Sequence, residues 1–147
     1  MTDLKLELVL IPVTDVDRAK AFYTEKLGFS LDVDHQPSEE FRVVQMTPPG
    51  SACSITIGIG ITEAEPGSYR GTHLVVEDIE AAREELVGRG VQVSDVRHFD
   101  REAGEWRPGA DPEHAHYASF ADLADPDGNT WVLQEVRRGD ALAAESA

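Results

Sequence analysis

Five histidines, a single cysteine and a few amides in apolar strands are the groups in this sequence with chemistry to offer a ligand. His114 and His116 form an H-x-H pair downstream of His98, the outline of a metal cluster. Loop histidines without a third fixed ligand read instead as exposed side chains. Cys53 lies in an apolar stretch and reads as a buried structural thiol rather than a nucleophile. Gln45 interrupts an otherwise apolar strand, so its amide needs a partner or faces a ligand. His73, in another strand, can donate, accept or carry a proton, or be satisfied by a backbone carbonyl. Trp106 has the broad flat surface to close over a planar ligand, and Phe41, Phe99, Tyr117 and Phe120 are further candidates to line a cavity. Arg18, Lys20 and Arg83 read as solvated helix charges. No Ser-His-Asp arrangement, phosphate-binding glycine loop or nucleotide fingerprint is present.

The elements that must position these groups come in two copies. Residues 8–29 read as a buried strand, a turn at Asp15 and an amphipathic helix closed by Gly28. Val16, Ala19, Tyr23 and Leu27 form the stripe that packs on a sheet. Residues 71–90 repeat the pattern: Val13 answers to Val76, Asp15 to Asp78, Val16 to Ile79 and Ala19 to Ala82, a constant offset of 63 (78 − 15). A fixed offset over a strand-turn-helix unit marks a duplicated module.

The first strand is expected over 4–13, apolar on both sides and covered on both. Three strands follow the first helix, at 30–35, 40–47 and 52–60, with a tight turn at 47–51. The first module thus covers 1–61, and 62–70 is a polar linker. The second module, 71–136, has a strand at 71–77, a helix carrying Ile79, Ala82 and Leu86, and a strand at 91–96. A long loop, 98–115, then reads as a flap. Strands at 116–122 and 129–136 flank the DPDGN turn at 125–129, with Trp131 packed under a helix. A disordered tail is expected over 137–147.

The 147 residues suffice for one ordinary domain with a core. Against 13 basic residues stand 28 acidic ones, a formal net charge of −15. That surface repels phosphate backbones and anionic lipid, so neither nucleic acid nor membrane is an expected partner. No apolar run approaches the ~20 residues of a membrane span. One cysteine permits no internal disulfide, and with no signal-peptide pattern a cytoplasmic location is expected.

Both copies together, PVTDVDRAKAFYTEKLGF at 12–29 and VVEDIEAAREELVGRGV at 75–91, with DPDGNTWVLQE at 125–135, resemble the vicinal oxygen chelate superfamily, the glyoxalase/bleomycin-resistance/dioxygenase group. The resemblance implies an α+β fold of two tandem βαβββ modules. Their sheets would form a curved, open half-barrel with the helices outside, around a cleft. It also implies a homodimer. In the metal enzymes of the group a divalent ion (Zn, Ni, Fe or Mn) is held from the first and last strands of each module. The corresponding positions here are Leu8, Gly71 and Val132, which carry no donor, and the stretch ACSITIGIG holds no carboxylate. No metal or other cofactor is therefore expected. His73 and Gln134, each two residues beyond an emptied position, are expected side by side as a polar floor. The ligand site would then comprise His73, Gln134, Gln45, Trp106, Leu8 and Val132. Two functions follow from the resemblance: binding of a small, partly aromatic molecule without chemistry, or a metal-free or divergent glyoxalase-like lyase or isomerase using His73 as acid and base.

Overall fold

The computed structural model describes residues 1–137, so of the tail expected over 137–147 only Arg137 lies among them. The chain forms two compact units, the first from Met1–Arg70 with Asp125–Asn129 and the second from Gly71–Ala124 and the strand that begins at Thr130. Each carries an open mixed sheet with one helix against it, the α+β class expected.

In the first unit, strands β1 (Leu8–Leu10), β2 (Ser30–Ser38), β3 (Phe41–Thr47) and β4 (Ser54–Ile59) lie in the order β1-β4-β3-β2, with β1 parallel to β4. Helix α1 (Val16–Ala21) starts at Asp15, whose carboxylate accepts the Arg18 N–H, and continues as a π-turn over Phe22–Lys26. Gly28 closes it at φ 74°, a conformation that costs a glycine little. The expected stripe packs inward, and Val44, Met46, Ile55 and Ile57 of β3 and β4 form the sheet side of this core. The first strand is shorter than the alternation over 4–13 suggests. Its pairing ends where the Ser54 N–H meets the Glu7 carbonyl, so Leu4 and Leu6 are left 83% and 72% exposed.

The DPDGN turn belongs to this unit. Asn129 donates from Nδ2 to the Pro12 carbonyl and to Asp125 Oδ2, both at 2.8 Å, and the Thr14 hydroxyl donates to Asp127 at 2.6 Å.

In the second unit, β5 (Thr72–Val76) and α2 (Ile79–Gly88) precede β6 (Arg97–Asp100), β7 (Glu105–Pro108), β8 (Ser119–Ala124) and β9 (Thr130–Glu135), in the order β5-β9-β8-β6-β7. Ala121, Leu123, Trp131 and Leu133 are buried on the helix side. Three expectations are corrected here. Residues 91–96 are not a strand, apart from one bridge between Val93 and Leu123. Val91, Val93 and Val96 all bury, and a spacing of two then three cannot stay on one face of a strand. The flap over 98–115 is instead largely the β6–β7 hairpin, with Phe99 opposite Trp106. The strand expected from 116 begins at Ser119, because Tyr117 takes φ 65° and breaks the extended run. No helix among the described residues is long and apolar enough to cross a membrane.

Candidate functional site

Strand alternation gives each sheet one face packed by its helix and one open face. On the second unit, Phe120 and Asp122 of β8 lie on the open face, since Ala121 and Leu123 between them are buried against the helix. Register extends that face to Gln134 and Val132 on β9, to Val75 and His73 on β5, and to Arg97 on β6.

Three aromatic rings form a row on it. Trp106 meets Phe99 edge-on at 5.4 Å and Phe120 at 5.6 Å. The Arg97 guanidinium lies 5.2 Å from the centre of the Trp106 ring and is held by Asp122 at 2.7 Å and 3.3 Å. Trp106 nevertheless remains 52% exposed and Phe99 40%. A fixed, exposed aromatic surface of this kind suits a flat ligand, because area is gained with little ordering of side chains.

His73 and Gln134 are not neighbours in the way expected. The Gly71 N–H bonds the Thr130 carbonyl at 3.1 Å, and this fixes the β5–β9 register two residues away from the anticipated one. Val132 therefore stands beside His73, and Val75 beside Gln134. The two polar groups share a face but are out of step. His73 is exposed, with Nδ1 2.6 Å from the Gly71 carbonyl. A carbonyl can only accept, so Nδ1 carries the proton and neutral His73 offers Nε2 as an acceptor. Gln134 donates to the Tyr117 carbonyl at 3.3 Å.

On the first unit, the face turned away from the helix carries Leu8 and Leu10 of β1, Ser54 and Thr56 of β4, and Gln45 and Val43 of β3, with Ser54 and Thr56 buried at its floor and Gln45 half-buried beside them. Gln45 Nε2 lies 3.5 Å from Ser54 Oγ, which is 2.7 Å from Thr47 Oγ1, and Thr47 donates in turn to Asp32. Gln45 thus both has a partner and looks onto the open face. Elsewhere in this unit, hydrogen bonds from Arg42 and then Lys20 hold Asp34 well below the usual carboxylate range, and Asp34 and Asp17 raise Arg42.

His98, His114 and His116 behave differently from exposed loop residues. His98 is buried, with Nδ1 2.8 Å from the Gly109 carbonyl. His114 Nδ1 lies 2.9 Å from Oε1 of Glu135, a fully buried carboxylate whose other oxygen accepts the Ile79 N–H at the start of α2. The Arg137 backbone N–H donates to His116 Nδ1 at 3.0 Å. Glu135 is the residue that sequence reasoning missed. Its alternation with Leu133 and Trp131 on the buried face was the available signal.

The ligand positions implied for a metal do not fit one. Leu8 pairs with Ser54, Gly71 has no side chain, and Val132 stands between Asp122 and His73 with only methyl groups to present. Among the described residues no group of three or more His, Cys, Asp or Glu side chains could hold an ion.

Comparison with known proteins places this geometry. Residues 5–133 match the Glyoxalase/Bleomycin resistance protein/Dioxygenase superfamily. The chain is 32% identical to TnmS3, an antibiotic binding protein from Streptomyces sp. CB03234, with a TM-score of 0.71 over 92% of this chain and 98% of that one. A glyoxalase/bleomycin resistance protein from the same organism is also 32% identical, with a TM-score of 0.67 over 89% and 100%. The uncharacterized protein YetH of Bacillus subtilis (strain 168) is 26% identical over 86% of this chain and 94% of its own length. The duplicated strand-helix-strand modules and these matches agree, and the chain belongs to the glyoxalase/bleomycin resistance protein/dioxygenase superfamily.

Proposed function

We propose that this protein binds a small, partly aromatic molecule on an open sheet face, without a catalytic metal. The observation that carries this reading is the exposed row Phe99–Trp106–Phe120, braced by Arg97 and Asp122. Its support from outside the chain is that the relative TnmS3 is described as an antibiotic binding protein. The emptied positions Leu8, Gly71 and Val132 leave no donor set for an ion to act as a Lewis acid. The protein works as a cytoplasmic homodimer in this reading, as the family resemblance and the lone Cys53 suggest.

A second reading rests on His73. Its Nε2 is free to accept a proton on the same face, which would serve a glyoxalase-like lyase or isomerase.

Titration with acridone, a neutral planar tricycle, tests the first reading. Quenching of tryptophan fluorescence that is reduced in Trp106→Phe is expected, because Trp106 is 52% exposed on the row whereas Trp131 is only 2% exposed. Unchanged fluorescence, or equal quenching in that variant, would defeat it. His73→Ala separates the second reading: unchanged ligand affinity and unchanged turnover would remove His73 from any role.

A further inference from the structure

The hydrogen bonds on the open face of the first unit run in one direction, and the direction fixes which way Gln45 faces. Asp32, as a carboxylate, can only accept, so the single hydroxyl proton of Thr47 is committed to it. In the 2.7 Å contact between Thr47 and Ser54, Ser54 must then be the donor. With its own proton used, Ser54 can only accept from Gln45, so the amide nitrogen of Gln45 faces Ser54. The Gln45 carbonyl oxygen is turned away, with no protein partner among the described residues. Thr56, the register partner of Gln45 across β3 and β4, is 3% exposed and its hydroxyl meets no acceptor. An unmet acceptor and an unmet donor thus occur on paired residues of one face.

We infer that Gln45 and Thr56 form a polar subsite for an uncharged ligand group carrying a donor beside an acceptor, such as a lactam or carboxamide. Gln45 accepts from the ligand N–H, and the Thr56 hydroxyl donates to the ligand carbonyl. Asp32, Thr47 and Ser54 are positioning residues that keep the amide from flipping. A carboxylate ligand has no donor for Gln45, and the net charge of −15 repels it. The inference rests on the reading of an open sheet face as ligand surface.

The test uses the full chain, ¹⁵N-labelled, titrated with 2-quinolone and with N-methyl-2-quinolone, which lacks the donor. The lactam is expected to shift the amides of residues 43–47 and 54–57 and the Gln45 side-chain amide. N-methylation, or Gln45→Met, is expected to weaken binding about tenfold, the size of one lost hydrogen bond. Asp32→Asn lets the end of the relay donate and frees Gln45 to turn over, so the difference between the two probes should narrow, with a well-dispersed spectrum showing the fold intact. A merely structural role for Asp32 would leave that preference unchanged and overturn its positioning role. Equal affinity of both probes for the unaltered protein, or shifts confined to Phe99, Trp106 and Phe120, would overturn the subsite while leaving the binding reading in place. No shift on either face would defeat both.

Discussion

The Tyr23 hydroxyl donates to Oδ2 of Asp125, 102 residues away in sequence, in a buried hydrogen bond of 2.7 Å. Tyr23 is fully buried and Asp125 is 5% exposed. Asp125 also accepts the N–H groups of Asp127 and Asn129, so the turn and the first helix are fastened by one carboxylate. Tyr23→Phe removes a hydrogen bond to a charged group and should cost about 1.5–3 kcal/mol. At roughly 2–4 °C per kcal/mol for a chain of this size, calorimetry would register the loss as a lowered Tm.

Glu135 holds the start of α2 and the His114 loop from a site with no solvent access. Glu135→Ala orphans the Ile79 N–H, whereas Glu135→Gln can still accept it. The alanine variant should be less stable than the glutamine variant by about 1–3 kcal/mol. Urea unfolding midpoints at unchanged m-value would show it.

The depressed pKa of Asp34 makes a statement about acid stability. A carboxyl group whose folded pKa lies below its unfolded value stabilises the fold above the unfolded pKa, and that contribution fades as pH falls through the folded one. The unfolded reference is 3.8, and hydrogen bonds from Arg42, then Lys20, set the direction. Asp34→Asn should therefore be less stable than the unaltered protein at neutral pH, with the gap closing below about pH 4. Unfolding free energies measured across that range would decide it. A gap that widened towards acid would mean that the ion pairs do not stabilise the fold.

Trp106 is an anchor by position and exposure rather than a core residue. Trp106→Ala should cost about 1–3 kcal/mol of stability, because it removes two edge-on aromatic contacts and the Arg97 cation–π contact while leaving the core intact. Ligand affinity should fall by about 2 kcal/mol or more, the scale of an aromatic hot spot. Parallel unfolding and binding isotherms on the one variant test both halves.

Much of this was legible in the sequence, for physical reasons that differ by residue. Asp15 and Asp78 announce their helices because capping is a local interaction, and both carboxylates do cap. Val16, Ala19, Tyr23 and Leu27 announce the packed stripe because burial follows helical period. The aromatic row was half visible: Trp106, Phe99 and Phe120 were candidates, but only the β6–β7 hairpin brings the first two together. Turn-rich composition at 98–115 hid that hairpin, since glycine, proline and acidic residues dominate its ends. Register was the main failure. His73 and Gln134 share parity, which sequence can read, but the offset between parallel strands depends on where Gly71 meets Thr130. Glu135 ties β9 to the start of α2 and the His114 loop, and the relay from Gln45 to Asp32 ties strands together; both act through side chains, and no local pattern encodes such partners.

A ligand held by this protein without an ion is the central expectation. The decisive measurement is the melting temperature of chelator-stripped protein across a panel of planar aromatic antibiotics, in EDTA and again with Zn, Ni, Fe or Mn restored. A ligand that binds the native state raises Tm by mass action. The prediction is a Tm increase equal with and without metal and abolished in Trp106→Ala. A rise that appears only when a divalent metal is returned, or the absence of any rise, would contradict it.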